Sequence, residues 1–176
     1  MKLLKGALLA LGTLIVAGGL FVASGIYDVG ADSPHTRPVE WLLQVLRERS
    51  TDAHGDDIKV PPLDDAKLIA EGAEHYGAMC AGCHLGPGVA DNEFRVGLYP
   101  KPPLLYQQHD EEAGEQFWII KHGIKFTAMP AWGATHDDQK LWAMVAFLQK
   151  LPKLTPEQYA QLTAHAEDRH EHDQPH

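Results

Sequence analysis

The sequence predicts an all-α fold with one N-terminal transmembrane helix, and three observations carry that expectation. Gly6 to Ile26 form an uncharged run of 21 residues behind Lys2 and Lys5. Downstream, apolar residues recur at helical spacing in a series of separate segments. Those segments are bounded by the polar caps, glycines and prolines that start and stop helices.

At 176 residues the chain can hold one modest domain with appendages. It carries 24 acidic and 15 basic residues, a formal charge of −9. Beyond the first 31 residues the balance is 13 basic to 23 acidic, or −10. Such a field disfavours nucleic acid and steers toward basic or dipolar partners. Simple solubility of an exported acidic domain accounts for it equally well.

Taken in order, the apolar run as a helix would span ~32 Å, against ~30 Å for a bilayer core. The positive flank places the N-terminus in the cytoplasm and the rest of the chain outside. A cleavable signal is the alternative, with a usual apolar stretch of about 7–15 residues. Val29-Gly30-Ala31 offers small residues of the cleavage type, but well past the run. Residues 1–31 are therefore read as an anchor, or signal peptide, with its flank.

Asp32 to Pro38 is rich in breakers. Val39, Leu42, Leu43 and Leu46 then recur at helical spacing to about Arg49, with Trp41 on the flank. This short helix either packs on the domain that follows, lies at the membrane surface, or binds a partner subunit. Ser50 to Pro62 is polar and reads as a linker or strap, so 32–63 form a juxtamembrane unit.

Leu63-Asp64-Asp65 starts the next helix, with Leu68, Ile69, Gly72, Ala73 and Tyr76 on one face. From Leu85 to Gln108, glycines and prolines predict loops, in which Arg95, Tyr99 and Lys101 read first as solvated side chains. Asp110 is expected to cap a helix through Lys121, with Phe117 and Ile120 inward and Trp118 either beside a cofactor or, as is more usual for an aromatic at helical spacing, in the core. Glu111, Glu112 and Glu115 suit its positive end, and Lys121-His122-Gly123 its glycine-capped close. Thr135 and Asp138 resemble a cap and return residue for a helix with Leu141, Trp142, Val145 and Leu148 inward, stopped by Pro152. Thr155-Pro156-Glu157-Gln158 opens a last short helix within a 153–176 tail. The tail's His165, His170, His172 and His176 stand among acids and read as solvated rather than metal-binding.

The chemistry centres on Cys80-Ala81-Gly82-Cys83-His84. Two thiols three positions apart can bond to the two vinyl groups on one porphyrin edge, and the next imidazole then serves as proximal iron ligand. These are the only two cysteines in the chain. A four-ligand zinc site would lack its second cysteine pair, and a redox dithiol needs no histidine directly after it. The expected cofactor is one covalently bound haem c, since no second such motif occurs.

A second strong iron ligand would fit the haem for electron transfer; an open position would fit it for gas binding or oxidative chemistry. Met129 stands in a glycine-bounded run, Gly123 to Gly133, followed by Pro130, which biases it toward extended backbone. That suits a thioether presented from a loop, so His84 and Met129 are the expected axial pair. Met1 is the initiator, Met79 lies on the attachment side, and Met144 belongs to a helix where packing is the ordinary role.

The attachment motif, Met129-Pro130 and the aromatic-bearing helix near the C-terminus resemble a class I (monohaem) cytochrome c over about Asp64 to Pro152. The resemblance implies a cytochrome c-like haem domain over 64–152. It matches Gly72, Tyr76 and Trp142 to the glycine and aromatics at which the family's first and last helices cross. It further implies that a proline carbonyl accepts from the proximal histidine; within Pro102-Pro103-Leu104-Leu105, Pro103 is the choice. An acceptor there fixes the imidazole and strengthens it as a donor to iron.

The function expected is one-electron transfer by a membrane-anchored cytochrome, not an enzyme and with no small-molecule substrate. The haem domain is expected on the periplasmic side of a bacterial inner membrane, between donor and acceptor redox proteins of a respiratory chain. Two alternatives stand beside it: a haem enzyme or gas sensor with a displaceable sixth ligand, and a cytochrome subunit of a larger oxidoreductase complex.

Overall fold

The computed structural model describes residues 2–108 and 112–164. Among these every regular element is helical, so the chain is all-α. It divides at Ser33/Pro34 into two compact units.

The first unit is helix α1, Lys2–Ala23, with no buried residue. It is long and apolar enough to cross a membrane. It ends three residues before the uncharged run does, at Ser24 and Gly25, where the backbone turns left-handed (φ 65°).

The second unit begins with α2, Arg37–Gly55, which is longer than its apolar spacing foretold. Ser50 to Gly55 are helix, not linker. Apart from Ala53 these residues are poor helix formers, but tertiary packing overrides propensity. Thr51 is buried and its hydroxyl donates back to the Arg47 and Glu48 carbonyls. Gly55 lies so close to the next-but-several helix that a methyl there would sit 2.7 Å from the Glu115 Cα. Of the three fates the sequence left open, the helix takes the first: it packs on the domain, while Trp41, Leu42 and Leu46 stay exposed.

Helix α3, Ala66–His75, is capped by Asp65, whose carboxylate accepts from the Lys67 and Leu68 amides. It runs through a π-helical turn, Tyr76–Cys80, into the short α4, Ala81–His84. The following loops hold a one-turn helix α5, Glu93–Val96, and a 3₁₀ turn, Leu105–Gln107. Helix α6, Ala113–His122, closes on Gly123 at φ 65°. Its expected cap Asp110, and Glu111, lie outside the described residues; Glu112 occupies the cap position without a side-chain bond.

A 3₁₀ turn, Trp132–Ala134, precedes helix α7, Asp138–Leu148. The cap of α7 is Asp137, accepting from the Lys140 amide, rather than Thr135, whose hydroxyl closes the preceding turn on the Trp132 carbonyl. A 3₁₀ turn, Leu151–Lys153, leads to α8, Pro156–Thr163, whose Thr155–Gln158 capping box forms as expected. The histidines of the tail lie outside the described residues.

The core is the crossing of α3 and α7. Leu141 and residues 143–148 of α7 are buried, so this helix is central rather than one-sided. A Cβ on Gly72 would collide with the Ala143 carbonyl, which shows how closely the backbones approach. The aromatic that meets Tyr76 there is Phe147, with ring centroids 5.2 Å apart, not Trp142. Trp142 instead stacks on Phe117 of α6 at 4.2 Å, on the other side of the helix.

Candidate haem site

The α3–α4 segment presents Cys80, Cys83 and His84 within little more than one turn. Asn92 ties the α5 loop to this segment by donating from its amide side chain to the Gly82 carbonyl at 2.9 Å. Its side-chain oxygen also accepts from the Arg95 amide and so starts α5. Both cysteines are free thiols. Burial pushes Cys80 up to about 12. It raises Cys83 as well, against the pull of the nearby Arg95 charge. Such sulfurs resist becoming the thiolates that zinc or dithiol exchange require, whereas a neutral thioether suits the same surroundings. Among the described residues no group of three His, Cys, Asp or Glu gathers at metal-binding spacing.

The His84 ring is held by the loop opposite, its Nδ1–H donating to the Pro103 carbonyl at 2.9 Å. With Nδ1 committed, the Nε2 lone pair is left as the coordinating atom. Burial lowers the His84 pKa, keeping the ring in the neutral form that binds a metal.

Arg95, expected in solvent, is buried. Its guanidinium makes two bonds to Asp91, at 3.0 and 3.1 Å, and one to the Pro102 carbonyl at 2.8 Å. Lys101 joins the same carboxylate at 2.9 Å. Arg95 Nε is buried without a partner, and a buried donor in that state is costly unless an acceptor completes it. Tyr99 is not solvated either, since its hydroxyl accepts from the His35 amide at 2.9 Å.

Met129 is half-buried against the core on the loop after α6, as Cys80 is on the attachment side. The loop is built by its own hydrogen bonds. The Thr127 hydroxyl donates to the Ile124 carbonyl and accepts from the Met129 amide, at 2.8 and 3.1 Å. The Ile124 amide returns to the Met129 carbonyl at 3.2 Å. Phe126 at its tip has φ 62° and is 80% exposed, a strained posture for a bulky residue. Gly123 is required at the hinge, because a methyl there would lie 2.7 Å from the Met129 carbonyl oxygen.

Between this loop, the Tyr99–Lys101 stretch and α2 lies a cavity of ≈ 1000 Å³. Trp118, expected as core, lines it and stacks on His54 of α2 at 5.1 Å. The residues that sequence reasoning missed are Asp91, Asn92 and Thr127, which fix the two loops, and the α2 side chains of the cavity wall. Of these only Asn92, one residue before a short charged helix, carried a local cue.

Residues 67–148 match the family model described as cytochrome C oxidase, cbb3-type, subunit III. No curated protein and no solved structure matched the chain. The match makes this segment similar to a c-type cytochrome domain, and the N-terminal apolar helix fits membrane anchoring. Such domains carry haem and serve electron transfer with redox proteins. The residues present fit that group: two unbridged sulfurs, an imidazole whose Nδ1 is committed to a carbonyl, a half-buried thioether on the loop after α6, and a buried guanidinium nitrogen without a partner.

Proposed function

We propose that this chain is a membrane-anchored monohaem cytochrome c passing single electrons between redox proteins at the periplasmic face of a bacterial inner membrane. The observation that carries the reading is the His84–Pro103 contact, placed one residue after the paired thiols. In this reading Cys80 and Cys83 would hold the haem covalently as thioethers, and His84 Nε2 and the Met129 sulfur would be its iron ligands. Bound in this way, the haem supplies a one-electron couple between ferrous and ferric iron with no change of ligands.

The protein's own work is to hold both ligands still. Pro103 fixes the imidazole plane, and Thr127 with Gly123 fixes the methionine loop. A neutral thioether and a buried setting both disfavour the extra ferric charge and keep the potential comparatively high. Partners meet an edge of the domain through a small, fast-exchanging interface. The Lys2 and Lys5 flank supports the cytoplasmic placement of the N-terminus.

The family description favours a more particular setting, as the cytochrome subunit of a larger membrane oxidoreductase. Purification in mild detergent separates the two, since a subunit migrates with partner chains and a lone carrier does not. The primary test is the absorption spectrum of the oxidised protein, followed by carbon monoxide added to the reduced form. A weak methionine-to-iron band near the red end and no carbon monoxide shift are expected. Ready carbon monoxide binding would replace this reading with a haem enzyme or gas sensor.

A further inference from the structure

We propose that the one-turn helix α5 braces His84, and that Arg95 is the positioning residue, holding the Pro102–Pro103 backbone against which the imidazole is set. The inference deepens the haem reading above and rests on it for the role of His84.

It starts from a stretch of backbone that cannot hold itself. Pro102 and Pro103 have no N–H, so only donors from elsewhere can fix their place. His84 donates to the Pro103 carbonyl at 2.9 Å, and the Arg95 guanidinium donates to the Pro102 carbonyl at 2.8 Å. The Pro102 carbonyl belongs to the peptide that joins the two prolines, and each ring locks its own φ at about −65°. With that peptide plane held, a single soft torsion, the Pro103 ψ, separates it from the carbonyl that His84 uses.

Arg95 can act as a fixed point because it is itself fixed. It is buried, and its guanidinium meets the Asp91 carboxylate at 3.0 and 3.1 Å. A planar fork can grip a carboxylate at two points and still reach a third acceptor. The Arg95 amide donates to the Asn92 side-chain oxygen at 2.8 Å. The Asn92 side-chain amide donates in turn to the Gly82 carbonyl at 2.9 Å, two residues before His84. The contacts close a ring, from His84 through Pro103 and Pro102 to Arg95, then through Asn92 and Gly82 back to His84. Helix α5 thus grips the segment that carries the imidazole with one residue and the imidazole's acceptor with another.

The test is hydrogen exchange of the His84 Nδ1–H, followed by NMR on the full chain with haem attached, in its reduced low-spin form in mild detergent. Arg95→Leu is expected to speed exchange of this proton by about tenfold, the scale of one lost charge-assisted hydrogen bond. Backbone amides of α3 and α7 should keep their wild-type rates. Arg95→Lys keeps the charge but not the fork, and should stay nearer to Arg95→Leu than to wild type. Asn92→Asp keeps the oxygen that caps α5 and loses only the donor to Gly82. It should speed the same proton, and it decides the matter should Arg95→Leu fail to fold. A His84 proton that exchanges at the wild-type rate in these variants would overturn the brace. So would an equal rise in the α3 and α7 amides, the mark of a merely structural role, or full protection in Arg95→Lys, the mark of charge alone. Absence of covalent haem from the wild-type protein would instead remove the functional reading. The brace would then still be judged by the same proton, because the bond from His84 to Pro103 is made by the polypeptide.

Discussion

The Tyr76 hydroxyl donates to the Leu85 carbonyl at 2.6 Å, bridging the whole Cys80–His84 segment from one end to the other. Leu85 sits at φ 57°, where a non-glycine residue is uncommon. The bond gives this turned carbonyl its partner in a dry site, because Tyr76 is fully buried. Tyr76→Phe should cost about 1–3 kcal/mol by leaving a buried acceptor unsatisfied. Denaturant unfolding reads the loss; an unchanged midpoint would mean that the carbonyl finds another donor.

Glycines in the α3–α4 segment differ sharply in what surrounds them. Gly72→Ala drives a methyl into the Ala143 carbonyl and must push α3 and α7 apart, at a cost of about 1–3 kcal/mol or more. Gly82→Ala meets nothing within 4 Å and should be neutral or slightly stabilising. Thermal melts of the pair test the crossing; equal effects would disprove the close approach.

Under the proposed ligand pair, two methionines should separate coordination from packing. Met129→Ala should open the sixth position, producing a high-spin or carbon monoxide-accessible iron and an altered potential. Met144 is 1% exposed in the core, so Met144→Ala should cost about 2–5 kcal/mol and leave the ligand field alone. Should Met144→Ala be the variant that changes the iron spectrum, the axial assignment is wrong.

Stability should fall on the acid side through His75. Burial lowers its pKa below the ordinary 6.5, helped by His136, whose ring lies 5.5 Å away. The unfolded chain then binds the proton more readily than the folded one. The contribution is complete above pH 6.5 and is lost as pH falls through the depressed folded value. His75→Gln should flatten the dependence of the unfolding midpoint on pH across that window. Identical slopes in variant and wild type would assign the acid sensitivity elsewhere.

What could be read in advance was local. Asp65 and the Thr155–Gln158 box announce their helices because a cap acts within four residues of itself. The α7 cap was misplaced to Thr135 because two oxygen-bearing side chains stand near one helix start, and the 3₁₀ turn before it engages the first. The meeting of Tyr76 with Phe147 was not legible: both Trp142 and Phe147 are aromatics on α7, and only the depth of the Gly72 contact selects between them. Burial of Arg95 depends on a carboxylate and a proline carbonyl brought together by irregular backbone, which no periodicity encodes. That Cys80, Cys83 and His84 share one short segment was legible because they are near neighbours in sequence.

The contact of Gly55 with Gly114 and Glu115 bears on how a water-soluble form should be cut. Cutting just before Leu63, where the apolar pattern leading into α3 begins, would strip α2 away. It would bare the backbone of α6 at a point shaped for another helix, and strand Trp118 without His54. Starting at Pro34, the first residue of the second compact unit, keeps that seam intact and discards only the apolar N-terminal segment.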